Sequence, residues 1–172
     1  MTFNALPPES VNLLARICAR ASSESPRSGR RPPAETMSQV PDPSPAALNV
    51  LGQALEICGC DPLTGWHRDG SCRTDAQDQG MHTVCCIVSE AFLTYSRAQG
   101  NDLSSPVLAF GFPGLQPGDH WCLCARRWLQ AYEDGMAPPV RLEACEQSSL
   151  AVIPLEVLQG HAAAREGGPD VA

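Results

Sequence analysis

Eight of the nine cysteines in this chain lie between Cys58 and Cys145. That concentration constrains the fold more than any periodic pattern does. A thiol can pack, ligate a metal, react or pair, and each choice pins different segments together. The N-terminus lacks the apolar stretch behind a basic start that marks a secretory signal. The sequence therefore predicts a cytoplasmic, reducing setting. There, dense cysteine is more often metal-binding, catalytic or buried than disulfide-bonded.

The chain has 172 residues, enough for one domain. Its first 45 residues hold 8 of the 16 prolines and show little apolar periodicity. Such a stretch cannot bury enough apolar surface to offset chain entropy. Residues 1–45 are expected to be a disordered leader, 46–163 the folded domain, and 164–172 a disordered C-terminus. Arg16–Arg31 has the Arg, Ser and Ala content of a transit peptide, which would imply organellar import, but Glu9, Glu24 and Glu35 oppose it. Translation starting at Met37 is the alternative.

Residues 1–45 carry a net charge of +1 and residues 46–163 a net of −7. An acidic domain repels phosphate backbones, which argues against a nucleic-acid partner. No run of apolar residues is long enough to span a bilayer, so no membrane partner is expected. A small-molecule or protein partner is left unspecified.

The pattern predicts an α+β domain with two or three helices, a few short strands and long Gly/Pro-rich loops. Leu48–Ile57 reads as a short strand bent at Gly52, and Thr83–Val88 as a buried strand. Ser89 caps a helix that Gly100 ends. Trp121, Cys124, Ala125, Trp128, Leu129 and Tyr132 recur on one helical face, with Asp119 as the expected N-cap and Gly135 as the stop. Val140–Cys145 reads as an edge strand, and Pro154 opens a helix over Leu155–Ala163. Phe110–Leu115 reads as an apolar loop packed on the Trp helix.

Three chemistries fit the polar and thiol residues. Cys58, Cys72, His82, Cys85, Cys122 and Cys124 are candidate zinc ligands, although no C-x-x-C knuckle is present. Cys122, in the first turn of the expected helix, and Cys124 are candidate reactive or redox thiols, with His82 or His120 as base and Asp61, Asp69 or Asp102 to orient it. Arg68, Asp69, His82, Asn101, Asp102 and Asp119 are candidate ligand-binding residues. The plainer reading of the thiols is packing. That of the Arg68–Asp69 and Asn101–Asp102 pairs is turn stabilisation.

Several segments together resemble the Domain of Unknown Function 2237 family. They are Asn49–Gly52, Asp61–Gly65, Arg68–Gly70, His82–Cys85, Gly100–Ser104, Phe112–Leu115, Pro117–Asp119, Trp121–Ala125, Arg127–Trp128 and Ala137–Val140. The resemblance runs in order from about residue 48 to 163. It implies no activity, cofactor or catalytic residue. It implies that Cys58, Cys72, Cys85, Cys122 and Cys124 are family-type positions, with His82, Arg68, Asp69, Asn101, Asp102 and Asp119. Cys60, Cys86 and Cys145 depart from the family pattern. On these grounds the chain is expected to be a binding or accessory module with a polar site beside clustered cysteines. A thiol enzyme or redox protein and a zinc-stabilised module are the alternatives.

Overall fold

The computed structural model describes residues 47–164. The expectations for residues 1–45 and for the tail from 165 onward fall outside them. The described chain is a small α+β domain built on a two-stranded antiparallel ribbon. Strand β1 is Val84–Ile87 and strand β2 is His120–Leu123. Helix α1 is Glu90–Ala98, helix α2 is Ala125–Glu133, and helix α3 is Leu155–Gly160.

β1 forms where expected, from a β-branched and thiol run that is buried almost throughout. Its register with β2 pairs Val84 with Leu123, Cys85 with Cys122, Cys86 with Trp121 and Ile87 with His120. Successive side chains of a strand leave on opposite faces. Cys85 and Cys122 therefore share one face, and Cys86 points to the other.

The expected edge strand Val140–Cys145 is present only at its start. Ile87 donates to the Pro139 carbonyl, Arg141 donates to the Cys85 carbonyl, and Val140 bridges Cys86. Leu142–Ala144 then turns into a 3-10 helix. Leu48–Ile57 is likewise not a strand. It is a turn closed by a Leu48–Ala54 bridge, with Gly52 at a φ of 75°. The fully buried Asn49 carboxamide fixes it, donating to the Ala54 and Glu143 carbonyls and accepting from the Leu51 and Gln53 amides. A buried amide satisfied on every side can organise a loop as a strand ladder would.

The helix expected from Asp119 starts later. His120–Leu123 is strand, and the helix begins at Ala125 with Cys124 as its N-cap residue. The 3.6-residue recurrence misleads because Trp121 is buried equally well by a strand face. β1 is buried, and its amides and carbonyls need partners that only a second strand supplies. Asp119 instead accepts from the Gln116 amide within its own turn.

α1 is capped as expected. The Ser89 hydroxyl accepts from the Phe92 amide at 3.1 Å, and Gly100 follows the helix at a φ of 79°. In α2, Trp128 is fully buried and its indole N–H donates to the Pro138 carbonyl at 3.0 Å. Phe112 tilts against Trp121 with ring centroids 5.3 Å apart, but Leu108 at the loop tip is 90 % exposed. The expected apolar loop Phe110–Leu115 thus buries Phe112 and Leu115 and leaves Phe110 exposed, with Phe112 set against β2 and not against the Trp128 helix.

Two glycines separate a conformational requirement from a steric one. Gly100 needs only its left-handed backbone, because a Cβ there would meet nothing within 4 Å. Gly65 has a φ of 95°, and a Cβ would lie 2.2 Å from the Ser71 carbonyl oxygen. Gly100→Ala is expected to cost about 1 kcal/mol. Gly65→Ala is expected to cost about 2–3 kcal/mol or more. Urea unfolding of the oxidised chain measures both, and equal costs would contradict the close approach at Gly65.

Candidate functional site: a sulfur cluster and an aspartate-held histidine

The cysteines sort into bonded and free. Cys58 is disulfide-bonded to Cys85 and Cys72 to Cys122. Cys60 is also in a disulfide. The sequence-based preference for unpaired thiols is therefore corrected for these positions. The two bonds are neighbours because Cys85 and Cys122 sit opposite each other on one face of the ribbon. The sulfurs of Cys58, Cys72 and Cys85 all lie within 4.8 Å of one another, and all three residues are buried.

Each bond ties the irregular stretch 58–72 to a strand. The bonded residues are 27 and 50 positions apart. Closing loops of that size in the unfolded chain corresponds to roughly 3.5 and 4 kcal/mol of stabilisation in the chain-entropy model. Other groups hold the same stretch. The Thr64 hydroxyl accepts from the Cys122 amide at 2.8 Å, and His120 Nδ1 meets the Cys58 carbonyl at 2.8 Å.

Cys86, Cys124 and Cys145 are free. Cys86 and Cys145 are buried, and burial pushes both thiols up, Cys145 to about 12. Cys124 is half-buried at the start of α2, and its side chain caps nothing. Cys122 does not occupy a first helical turn; it sits on β2 with its sulfur bonded to Cys72. Of the two sequence-predicted thiol candidates, only Cys124 carries a free sulfur here.

Most of the polar candidates fasten their own loops. Asp69 accepts from the Ser71 amide at 3.0 Å and from Arg73 Nε at 2.5 Å. Arg68 has a φ of 52° and lays its guanidinium 5.0 Å from the Trp121 ring centroid. Asn101 is nearly buried, and its carbonyl accepts from the Ser96 hydroxyl at 2.7 Å. Asp102 accepts from the Ser104 and Ser105 amides and from the Ser105 hydroxyl. Asp102 caps its own turn, and Asp69 also holds its turn but pairs with Arg73 and not with Arg68.

His82 differs. Its Nδ1 lies 2.6 Å from Asp78 Oδ1, and its ring stacks on Trp66 at 5.8 Å and 11°. The Asp78 side chain is 0 % exposed, whereas that of His82 is 36 % exposed. The other Asp78 oxygen accepts from the His82 amide at 2.8 Å and the Thr74 hydroxyl at 3.0 Å. Gly80 lets the ring settle, since a Cβ there would meet His82 Cε1 at 2.6 Å. A buried carboxylate on Nδ1 selects the tautomer with the proton at that atom, so Nε2 is left as an acceptor or base.

Asp78 and Trp66 carry this arrangement, and neither was singled out from sequence. Asp78 sits four positions before His82 in a turn-rich segment. Only the Asp-x-x-x-His spacing could have marked it. A separate open depression of about 300 Å³ is lined by Glu90, Arg97, Ser104 and Gln116 among others, and includes none of the sequence-predicted site residues.

The thiol environments predict an order of alkylation. In the native chain Cys124 reacts first, while Cys86 and Cys145 react only on unfolding, as peptide mapping after iodoacetamide treatment would read. Equal rates for the three would contradict the burial.

The Asp102 carboxyl is held down to about 2, first by the Ser105 hydroxyl and then by the Ser104 amide. Its ordinary value is about 3.9. The loop hold is therefore complete above about pH 4 and is lost as pH falls through about 2. Ser104 and Ser105 amide shifts should titrate in that window in the native chain and not in Asp102→Asn.

No helix among the described residues is long and apolar enough to cross a membrane. No curated protein matches the chain. The family model described as "Uncharacterized protein conserved in bacteria (DUF2237)" matches residues 48–162. That span takes in the ribbon, the sulfur cluster and the His82 loop, and the chain belongs to this family.

Proposed function

We propose that the domain is a binding module whose recognition group is His82, held by Asp78 and flanked by Trp66, beside the clustered cysteines. The observation that carries this reading is the 2.6 Å contact between a partly exposed imidazole and a wholly buried carboxylate. Burying a carboxylate is costly unless its oxygens are matched. Here both oxygens are spent on orienting one ring and its loop. Nε2 makes no hydrogen bond among the described residues and offers itself to a ligand O–H or N–H. The Trp66 face suits a flat or apolar ligand body. The ligand class is thus a small molecule with a hydroxyl or amine donor on a ring. The acidic charge of residues 46–163 argues against nucleic acid as the partner.

Of the six polar candidates from sequence, this reading rests on His82. Asp69, Asp102 and Asp119 are engaged within their own turns.

A thiol-dependent activity is the second reading, and one contact favours it. The Ala125 amide donates to the Met81 carbonyl at 2.9 Å, which extends the ribbon by one step past its named strands. That bond puts Cys124 and His82, each next in sequence to a bonded residue, at the same end of the ribbon. A free thiol and an oriented imidazole at one end are the parts that base-activated thiol chemistry needs.

The test is an NMR screen of the oxidised chain with hydroxyl- and amine-bearing aromatic fragments. The expected result is perturbation centred on the Trp66 indole N–H and the His82 ring. His82→Gln should abolish it, with some loss of melting temperature because Asp78 Oδ1 loses its partner, while the amide spectrum away from the 74–82 loop stays native. Asp78→Asn should weaken binding roughly tenfold, the effect of one charge-assisted hydrogen bond. Fragments that perturb only other surfaces, or none at all, would overturn the reading.

A further inference from the structure

The four sulfurs beneath the ribbon suit a second linkage. We propose that in the reduced chain Cys58, Cys72, Cys85 and Cys122 form a closed tetrathiolate site for zinc. The same point of the fold is then fastened by two disulfides or by one metal ion. This inference does not depend on the His82 reading.

The geometry is convergent before any metal enters. Three of the sulfurs lie within 4.8 Å of one another, and that of Cys122 is bonded to that of Cys72. A tetrahedral site with Zn–S bonds of about 2.3 Å sets its sulfurs roughly 3.8 Å apart. The two bonded pairs would have to part, and the Cys122 sulfur, which lies outside the group of three, would have to close on it. The four residues are at most 2 % exposed, which fits a structural ion with no open coordination position. Two ligands come from paired strands and two from the ends of the 58–72 loop, so the site would close the same contacts that the disulfides close.

The surroundings also suit a site bearing net negative charge. Arg141 Nη1 donates to the Ile57 and Cys58 carbonyls at 3.2 and 3.5 Å. This cation at the start of the loop offsets part of the charge that four thiolates bring to one divalent ion. His82 and Cys124, which the sequence also suggested as ligands, do not join the group of converging ligand atoms, and His82 Nδ1 is engaged by Asp78. Cys86 leaves β1 on the opposite face from Cys85.

The interconversion balances with a phosphine as reductant. Each S–S bond breaks by taking an electron pair from one phosphine. Water supplies the oxygen of the resulting phosphine oxide and the two protons of the thiols. The four thiols then release four protons as four Zn–S bonds form, and zinc stays divalent throughout.

The full chain should be reduced with a phosphine, supplied with zinc and passed through gel filtration. Metal analysis is expected to give one zinc per chain, and the oxidised chain should retain none. Alkylation mapped by mass spectrometry should show zinc protecting Cys58, Cys72, Cys85 and Cys122 together. Cobalt in place of zinc should give the intense visible bands of a tetrahedral tetrathiolate. Cys86→Ala should keep the full complement of zinc. Cys72→Ser should lose it, and the protection map on the unmutated chain stands even where that variant fails to fold. Less than roughly a tenth of an equivalent in the reduced, zinc-supplied chain would overturn the proposal. Equal zinc in the oxidised chain, or protection of a different set of cysteines, would overturn it too.

Discussion

The structure depends on one cross-strand pair. Cys85 and Cys122 face each other on a ribbon of two four-residue strands. A two-stranded ribbon is marginal in water by itself. This one survives because each member of the pair reaches away from its neighbour to a different end of the 58–72 loop. The loop is thereby laid across the ribbon and closed over it. Trp128, Val84, Ile153 and Leu158 bury fully in the same domain, but the irregular half of the chain has few apolar side chains to contribute. Covalent closure supplies there what a larger core would supply in a longer domain.

The sequence made the helices and β1 readable because their signals are local. Ser89 and Gly100 mark the two ends of α1, and Gly135 follows α2 at a φ of 69°. β2 was not readable, because Trp121 and Cys124 continue the helical recurrence of the helix behind them. Only the hydrogen-bonding needs of β1, a long-range fact, make His120–Leu123 a strand. The cysteine pairing was hidden for a similar reason. Cys58 and Cys85 become partners through the turn that brings the loop over the ribbon. No spacing rule encodes that turn.

The candidate site shows the same division. Asp69, Asp102 and Asp119 stood out because acids beside turn glycines and serines are conspicuous, and those turns are where their carboxylates are spent. His82 was legible as a residue but not as a site. Its meaning comes from Asp78, whose burial cannot be read from a segment as polar as Thr74–Gln79. A carboxylate in a turn-rich stretch reads as solvated. Here the stretch folds back and seals it beneath the histidine backbone.

The cluster and the histidine are connected through the chain itself. The residues from Thr74 to His82 form a loop whose two anchors are Cys72 and Cys85, and both anchors belong to the sulfur cluster. Fixing the ends of a loop removes most of the entropy it would otherwise lose on adopting one conformation. The Asp78 carboxylate then has only a short, tethered segment to organise, and three hydrogen bonds suffice to hold the ring. With the Cys72 anchor released, those bonds would have to order a segment held only at its β1 end. The precision with which His82 is presented is therefore a property of the sulfur linkage beneath it as much as of the aspartate beside it.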